Sequence, residues 1–224
     1  MLDASEHRLR FTGAFENPFD MSIADILALP QITMPVVLEC AGNGRRGMEP
    51  RNHSMPWGVE AAGCAEWTGT PLWPLVEKAR PMDGAIELSF IGADEGFDDG
   101  VRHAFGRAIS LEQLREMDVL LVTGMNGAPL LPQHGAPLRI IVPGWYGMAS
   151  VKWLTEICAL DLPYQGFQQV QTYRIRQTPD EPGQPVSVMK VKSLMVPPGV
   201  PDWQTRTRMV GPGKLTVTGR AWSG

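Results

Sequence analysis

The chain has 224 residues and a formal net charge of −4, with 20% charged and 43% hydrophobic side chains. Its 24 Gly and 20 Pro make up about a fifth of the chain against a usual combined share of roughly 12%, and long helices cannot absorb that many breakers. All-helical bundles and coiled coils are excluded, as is collagen for want of a Gly-X-Y period, so an α+β fold rich in strands and loops is expected.

Asp20-Met21-Ser22 opens a short helix, with Ser22 as N-cap and Asp25 three residues on, and this helix stops near Pro30. Met34 to Cys40 is apolar and β-branched and predicts a buried strand. Residues 41–58 are broken by Gly and Pro and predict an ordered, irregular loop. Thr70 is expected to cap a helix reaching about Arg80, with Pro71 at its first position and Pro74 in its first turn. Ala85 to Ile91 predicts a strand, and Ser110-Leu-Glu-Gln113 is a capping box for another short helix. Val119 to Thr123 predicts a strand before an Asn126-Gly127 turn. Leu138 to Val142 and Val151 to Leu160 read as strands around the loop Pro143 to Ser150. Residues near 170–176, 186–195 and 214–220 read as strands with polar, Pro-rich connections. Helices are expected only before Pro163, which divides the chain into residues 1–165 and 166–224.

No Lys/Arg run marks a surface for nucleic acid. The 15 Arg against 5 Lys allow an anionic ligand. Three cysteines, Cys40, Cys64 and Cys158, do not make a disulfide scaffold. No apolar run is long enough for a membrane-spanning helix, so no membrane partner is expected. The polar N-terminus carries no secretory segment. The chain as written is expected in the cytoplasm, or in the periplasm if an N-terminal leader is missing.

The most informative stretch is Cys40-Ala-Gly42-Asn-Gly44-Arg45-Arg-Gly47. Its Gly-x-Gly-x-x-Gly spacing matches a dinucleotide fingerprint, but that motif needs a following helix to meet the pyrophosphate. Pro50 and Pro56 forbid one. What remains is a cysteine at a strand end, entering a Gly-rich loop with two arginines. Taken alone, Cys40 reads first as a small core cysteine before a tight turn. The histidines His7, His53, His103 and His134 show no zinc spacing. Arg139, inside an apolar strand, requires a buried anion, and Lys152 repeats the pattern. A structural ion pair would satisfy either as well as a ligand would.

Together these stretches resemble the sulfite oxidase family of molybdenum enzymes. Leu38-Glu-Cys40-Ala-Gly-Asn43-Gly-Arg45 resembles that family's molybdenum-cysteine loop. Ala65 to Leu72, Met125-Asn126-Gly127, His134-Gly135, Arg139-x-x-Val142-Pro-Gly144 and Val151-Lys152-Trp153-Leu154 follow in the family's order. The resemblance runs from about Leu9 to Phe167 and resumes at Gly219-Arg-Ala-Trp222-Ser-Gly224. It implies a mixed α/β molybdopterin domain over 1–165 and an incomplete immunoglobulin-like dimerisation segment over 166–224.

By that resemblance Cys40 ligates molybdenum. Asp94, His134, Arg139, Ser150, Val151 and Lys152 contact the molybdopterin, while Arg45, Trp57 and Tyr164 line the substrate side. The implied reaction is oxidation of sulfite to sulfate by oxygen-atom transfer. Its electrons pass to an external acceptor such as a cytochrome c, since this chain shows no haem motif. A homodimer is the arrangement such a dimerisation segment would serve. A related enzyme reducing sulfoxide or nitrate, or a truncated inactive member, are the alternatives. Gly44 stands where many eukaryotic members carry a second Arg, and Ala149 where some carry a pocket Arg. The family's Arg-Asn-His segment and the arginine from its dimerisation domain are expected before Met1 and after Gly224.

Overall fold

Short segments between breakers build this fold mainly from strands. The computed structural model describes residues 2–50, 54–178, 180–201 and 207–224. Strands β1 (Arg8–Gly13) and β2 (Phe19–Ser22) lead into helix α1 (Ile23–Leu27), then β3 (Ile32–Glu39) and β4 (Ala62–Pro71). Helix α2 (Trp73–Ala79) precedes β5 (Glu87–Asp98) and β6 (Val101–Ser110), and helix α3 (Leu111–Arg115) follows. The next strands are β7 (Leu120–Met125), β8 (Ala128–Pro129), β9 (Arg139–Ile141) and β10 (Leu154–Leu160). Beyond these come β11 (Arg174–Ile175), β12 (Gln184–Pro185), β13 (Lys192–Val196), β14 (Val200–Pro201), β15 (Arg208–Met209) and β16 (Thr218–Trp222).

Two sheets carry the fold. The first has the order β2-β1-β10-β5-β6, with β1 and β10 parallel and the other pairs antiparallel. The second has the order β3-β4-β7-β8, and β9 also pairs with β7. Leu9, Phe11, Leu88, Phe90 and Ile157 of the first sheet join Leu75 and Val76 of α2 and Leu121 and Ile140 of the second in one core. Val36, Trp67, Leu120, Val122 and Ile141 pack as a smaller cluster on the opposite face of the second sheet. The period-two alternation of β7, Leu120 and Val122 against Leu121, is what lets one strand serve both clusters.

Local chemistry ends the elements as expected at several points. Ser22 Oγ accepts from the Asp25 N–H at 3.1 Å, and Asp25 Oδ2 accepts from the Ser22 N–H at 2.8 Å, closing a reciprocal cap on α1. At α3 only half of the expected capping box forms: Ser110 Oγ accepts from the Gln113 N–H at 3.2 Å, while Gln113 Oε1 accepts from the Ser110 hydroxyl at 3.0 Å rather than from its N–H. Asn126 and Gly127 both take positive φ, 51° and 75°, as a two-residue hairpin turn requires.

Thr70 and Pro71 do not open α2. They stay in β4, paired with Leu121 and Leu120, and the helix starts at Trp73 after Leu72. The Thr70 hydroxyl accepts from Gln31 Nε2 at 2.6 Å instead, and no side chain caps α2, whose N-cap residue is Leu72. Pro74 does lie in the first turn. Several strands have no expected counterpart, β1 and β2 included; the two that matter most for the second sheet and the β5 hairpin are β4 and β6. The first is rich in small residues and gains its order from partners on both sides, β3 and β7. The second closes on β5 through Asp99-Gly100, whose φ values are 48° and 77°.

Of the irregular loop over 41–58, residues 51–53, including His53, lie outside the described residues. The loop contains a 3₁₀ turn at Arg45–Gly47. After Pro163 the chain is not made of strands alone, because Gln168–Thr172 forms a π-helical turn. The later strands pair as β11–β12, β13–β16 and β14–β15. Val186 and Met189 from this region pack on Tyr146 and Met148. Among the described residues no helix is long and apolar enough to cross a membrane.

Candidate active site around Cys40

Strand β3 ends at Glu39, so Cys40 is the first residue of the loop that leaves the sheet. Its N–H donates to the Ala61 carbonyl at 2.9 Å, which ties the start of the loop to the segment leading into β4. The loop is closed further by Gly44 N–H to the Gly58 carbonyl at 2.7 Å and by Arg46 N–H to the Trp57 carbonyl at 3.0 Å. Gly44 has φ of 87°, a conformation that a side chain would strain. Cys40 lines a cavity of about 370 Å³. Asp94 from β5, Arg139 from β9, and Ser150 and Lys152 from the following loop line it too. Leu38, Phe105, Met148 and Tyr173 supply apolar and aromatic wall. Five residues expected to hold one metal–pterin group are therefore gathered on one cavity from positions 40 to 152.

Arg139 is 5% exposed. Its guanidinium donates to the His134 carbonyl at 2.9 Å and the Ser150 carbonyl at 3.0 Å, and it lies 4.8 Å from the Trp67 ring centre. Its Nε has no partner, and no carboxylate pairs with it among the described residues. Burial lowers its pKa to about 10. The buried anion that the sequence demands is therefore not supplied by a side chain of the described residues. Lys152 donates to the Gln133 carbonyl at 3.1 Å, and its pKa is lowered by burial and by Arg139. Ser150 Oγ accepts from the Val142 N–H at 3.1 Å, while Val151 is buried and its carbonyl accepts from the Ile140 N–H at 3.0 Å. His134 enters the site through its backbone carbonyl, and Val151 through the backbone that carries Ser150 and Lys152.

Asp94 also faces a second cavity of about 450 Å³, lined by Pro132, Gln133 and Trp153. Its Oδ1 is buried without a partner. Burial raises its pKa, against a smaller downward pull from its own backbone N–H and from Lys152. A carboxyl with a raised pKa gives the folded chain its full contribution below the ordinary carboxylate range. That contribution is lost as pH rises through the raised value. Asp94→Asn is therefore expected to raise the melting temperature of the cofactor-free protein at neutral pH and to leave it unchanged near pH 3. Thermal melts across that range test this, and equal curves for both proteins would refute it.

The remaining expected residues stand apart from this cavity. Arg45 folds back over its own loop: Nε donates to the Gly42 carbonyl at 3.2 Å, and a terminal nitrogen donates to Ser54 Oγ. A Cβ on Gly42 would meet that guanidinium, so the glycine makes room for it. Trp57 is exposed. Tyr164 lines a different cavity, of about 520 Å³, with Glu87, Gln169 and Arg174. Its hydroxyl packs where a side chain on Gly106 would stand, and burial raises its pKa.

Two residues that carry no sequence motif lie at or beside this cavity. Tyr173 is the tyrosine on the Cys40 cavity, and its pKa is raised by burial and then by Cys40. Arg107 is 1% exposed, donates to the Gln168 and Val186 carbonyls at 3.2 and 3.0 Å, and has an unpartnered Nε. It lies 5.8 Å from the Tyr173 ring centre, and burial lowers its pKa to about 10. An arginine in the alternating Phe105-Gly-Arg107-Ala-Ile109 run was the available signal.

The donor set suits a molybdopterin. Cys40 offers a soft thiolate, Arg139 and Lys152 offer cations for an anionic group, and two of the residues lining the cavity carry a buried polar atom without a partner, Asp94 Oδ1 and Arg139 Nε. Comparison with known proteins agrees. A family model described as the oxidoreductase molybdopterin binding domain matches residues 1–168. The NADH nitrate reductase of Ulva prolifera is 35% identical over 173 residues, 74% of this chain and 20% of that protein. The sulfite oxidase of Arabidopsis thaliana is 31% identical over 250 residues, 97% of this chain and 58% of that protein. The crystal structure of the sulfane dehydrogenase SoxCD from Paracoccus pantotrophus is similar at a TM-score of 0.78 and 30% identity. That match covers 100% of this chain and 55% of that one. The chain thus spans 20% to 58% of the length of these curated relatives. With the family model matching most of its residues, the chain belongs to the sulfite oxidase family of molybdopterin-binding oxidoreductases.

Proposed function

We propose that this protein oxidises sulfite to sulfate at a molybdenum–molybdopterin cofactor and passes the electrons to an external acceptor such as a cytochrome c. The observation that carries the reading is a cysteine and two cations, Arg139 and Lys152, on one cavity with no carboxylate paired to either cation among the described residues. The similarity to sulfite oxidase over 97% of the chain supports it. Sulfite and water give sulfate, two protons and two electrons. When bound, the cofactor supplies the two-electron redox centre for that exchange. Cys40 holds the metal. Arg139 and Lys152 neutralise the anionic end of the pterin group, and Asp94, Ser150 and the backbone around His134 and Val151 orient it. Arg45, Trp57 and Tyr164, which stand apart from the Cys40 cavity, are assigned to the substrate by the family resemblance, Arg45 through charge-assisted hydrogen bonds to the oxyanion. Residues 1–165 form the cofactor domain, and 166–224 begin an immunoglobulin-like unit through which the protein dimerises.

A second reading, reduction of nitrate, is favoured by the 35% identity to nitrate reductase. Turnover of the loaded enzyme separates the two. Sulfite-dependent reduction of an artificial acceptor is expected, with no oxidation of a reduced dye by nitrate or methionine sulfoxide. Nitrate turnover without sulfite turnover would overturn the first reading.

A further inference from the structure

Among the described residues Glu39 is the only buried carboxylate, with its side chain 0% exposed, and it directly precedes Cys40. Its Oε1 accepts from Lys192 Nζ at 2.6 Å and from Asn43 Nδ2 at 3.0 Å, and its Oε2 accepts from Trp222 Nε1 at 2.7 Å. Lys192 Nζ also donates to the Asn43 carbonyl at 3.0 Å. Asn43 Oδ1 accepts from the Ala61 N–H at 3.1 Å, and the Ala61 carbonyl accepts from the Cys40 N–H. The network thus runs from the residue before Cys40, through the loop after it, back to the Cys40 backbone.

Both outside donors come from one rung of one ladder. Lys192 opens β13, Trp222 closes β16, and the two are register partners. Neither falls in the stretch that the family model matches. A buried ion pair adds little net stability over apolar residues of similar size, because desolvation offsets the attraction. What it adds is geometry, since three donors fit both carboxylate oxygens in a single arrangement.

We propose that Glu39 is a positioning residue for Cys40, and that the β13–β16 ladder completes the metal site by clamping the cysteine loop through Lys192 and Trp222. The proposal rests on Cys40 being the metal ligand. It assigns the C-terminal ladder a part in the reaction centre beyond any part in dimerisation.

Four full-length variants test it: Glu39→Gln, Lys192→Gln, the two combined, and Trp222→Phe. The first readout is the rate at which iodoacetamide alkylates Cys40 in the cofactor-free protein, followed by mass spectrometry with the exposed Cys64 as internal reference. Lys192→Gln leaves the buried Glu39 carboxylate without its cation, Glu39→Gln leaves the half-buried Lys192 without its anion, and in each the Cys40 rate relative to Cys64 is expected to rise at least tenfold. Trp222→Phe, which removes one neutral donor, is expected to raise it about threefold. The combined variant restores a matched neutral pair and is expected to return the rate to within twofold of the parent. In the cofactor-loaded enzyme the single variants are expected to lower kcat at least tenfold with KM within twofold. Unchanged Cys40 rates in the single variants, or no recovery in the combined one, would overturn the proposal. Should Glu39→Gln fail to fold, Trp222→Phe decides, and an unchanged rate there refutes the clamp. Retention of molybdenum by Cys40→Ser would refute the ligand assignment instead, while the thiol rates would still judge the clamp.

Discussion

Cys40→Ser is expected to abolish molybdenum binding, leaving less than about a tenth of the parent's metal per chain and lowering turnover by about a thousandfold, ~4 kcal/mol of barrier. The physical reason is the donor atom. A thiol gives up its proton to a metal readily and becomes a soft thiolate ligand, whereas a serine hydroxyl is hard and stays protonated near neutral pH. The substitution changes one atom in a partly exposed position at the end of β3, so the cofactor-free protein should melt within a few degrees of the parent. Cys64→Ser is the control: Cys64 is exposed on β4 and should leave both metal and turnover unchanged. Metal analysis beside thermal melts reads both arms. A serine variant that kept full metal and activity would remove Cys40 from the centre.

Arg139→Met is expected to separate cofactor binding from folding. In the cofactor-free chain the guanidinium is a buried charge facing two carbonyls and the Trp67 ring, without a carboxylate among the described residues. Removing it ends an unfavourable burial but leaves the His134 and Ser150 carbonyls without their donors, at about 1–3 kcal/mol each. These effects oppose one another, so the melting temperature should shift by less than about 8 °C. With the cofactor present the balance changes, because a charge-assisted bond to an anionic group is lost and Lys152 alone of the two cations is left on that cavity. Cofactor content should fall at least about tenfold, equivalent to ~1.4 kcal/mol or more of binding. Measured pterin and metal per chain, set against melts of the cofactor-free protein, check this. Full cofactor content in the variant would show that Arg139 is a structural cation only.

What could be read from the sequence was mostly what is decided locally. The caps at Ser22 and Ser110 and the turn at Asn126-Gly127 are set within a few residues, and each formed, the box at Ser110 by half. Thr70 misleads because a threonine before a proline has the chemistry of a cap, while its hydroxyl finds a glutamine 39 positions away. Strand β4 went unseen for the same reason: Gly and Ala have little preference for strands, and pairing on both edges decides. The gathering of Cys40, Asp94, Arg139, Ser150 and Lys152 was anticipated through ordered motifs resembling a family, since residue chemistry alone left a core cysteine and ion pairs open. Tyr173, Arg107 and Glu39 had no such motif. The cues were an arginine in an alternating apolar run and a carboxylate at the end of an apolar strand, each expected to need partners from distant parts of the chain.

The position of β10 has a consequence for how the chain is made. Its neighbours are β1, paired across 146 residues at Arg10 and Glu156, and β5, and it lies in the middle of the first sheet. The β1–β2 pair and the β5–β6 hairpin can each close early from nearby sequence, yet they share no edge until Leu154–Leu160 inserts between them. During synthesis both halves therefore present an open strand edge to the cell, and the last-made strand of this sheet acts as its keystone. A chain interrupted before Leu154 is expected to keep the second sheet's strands but leave the first as two unjoined pairs with open edges on β1 and β5.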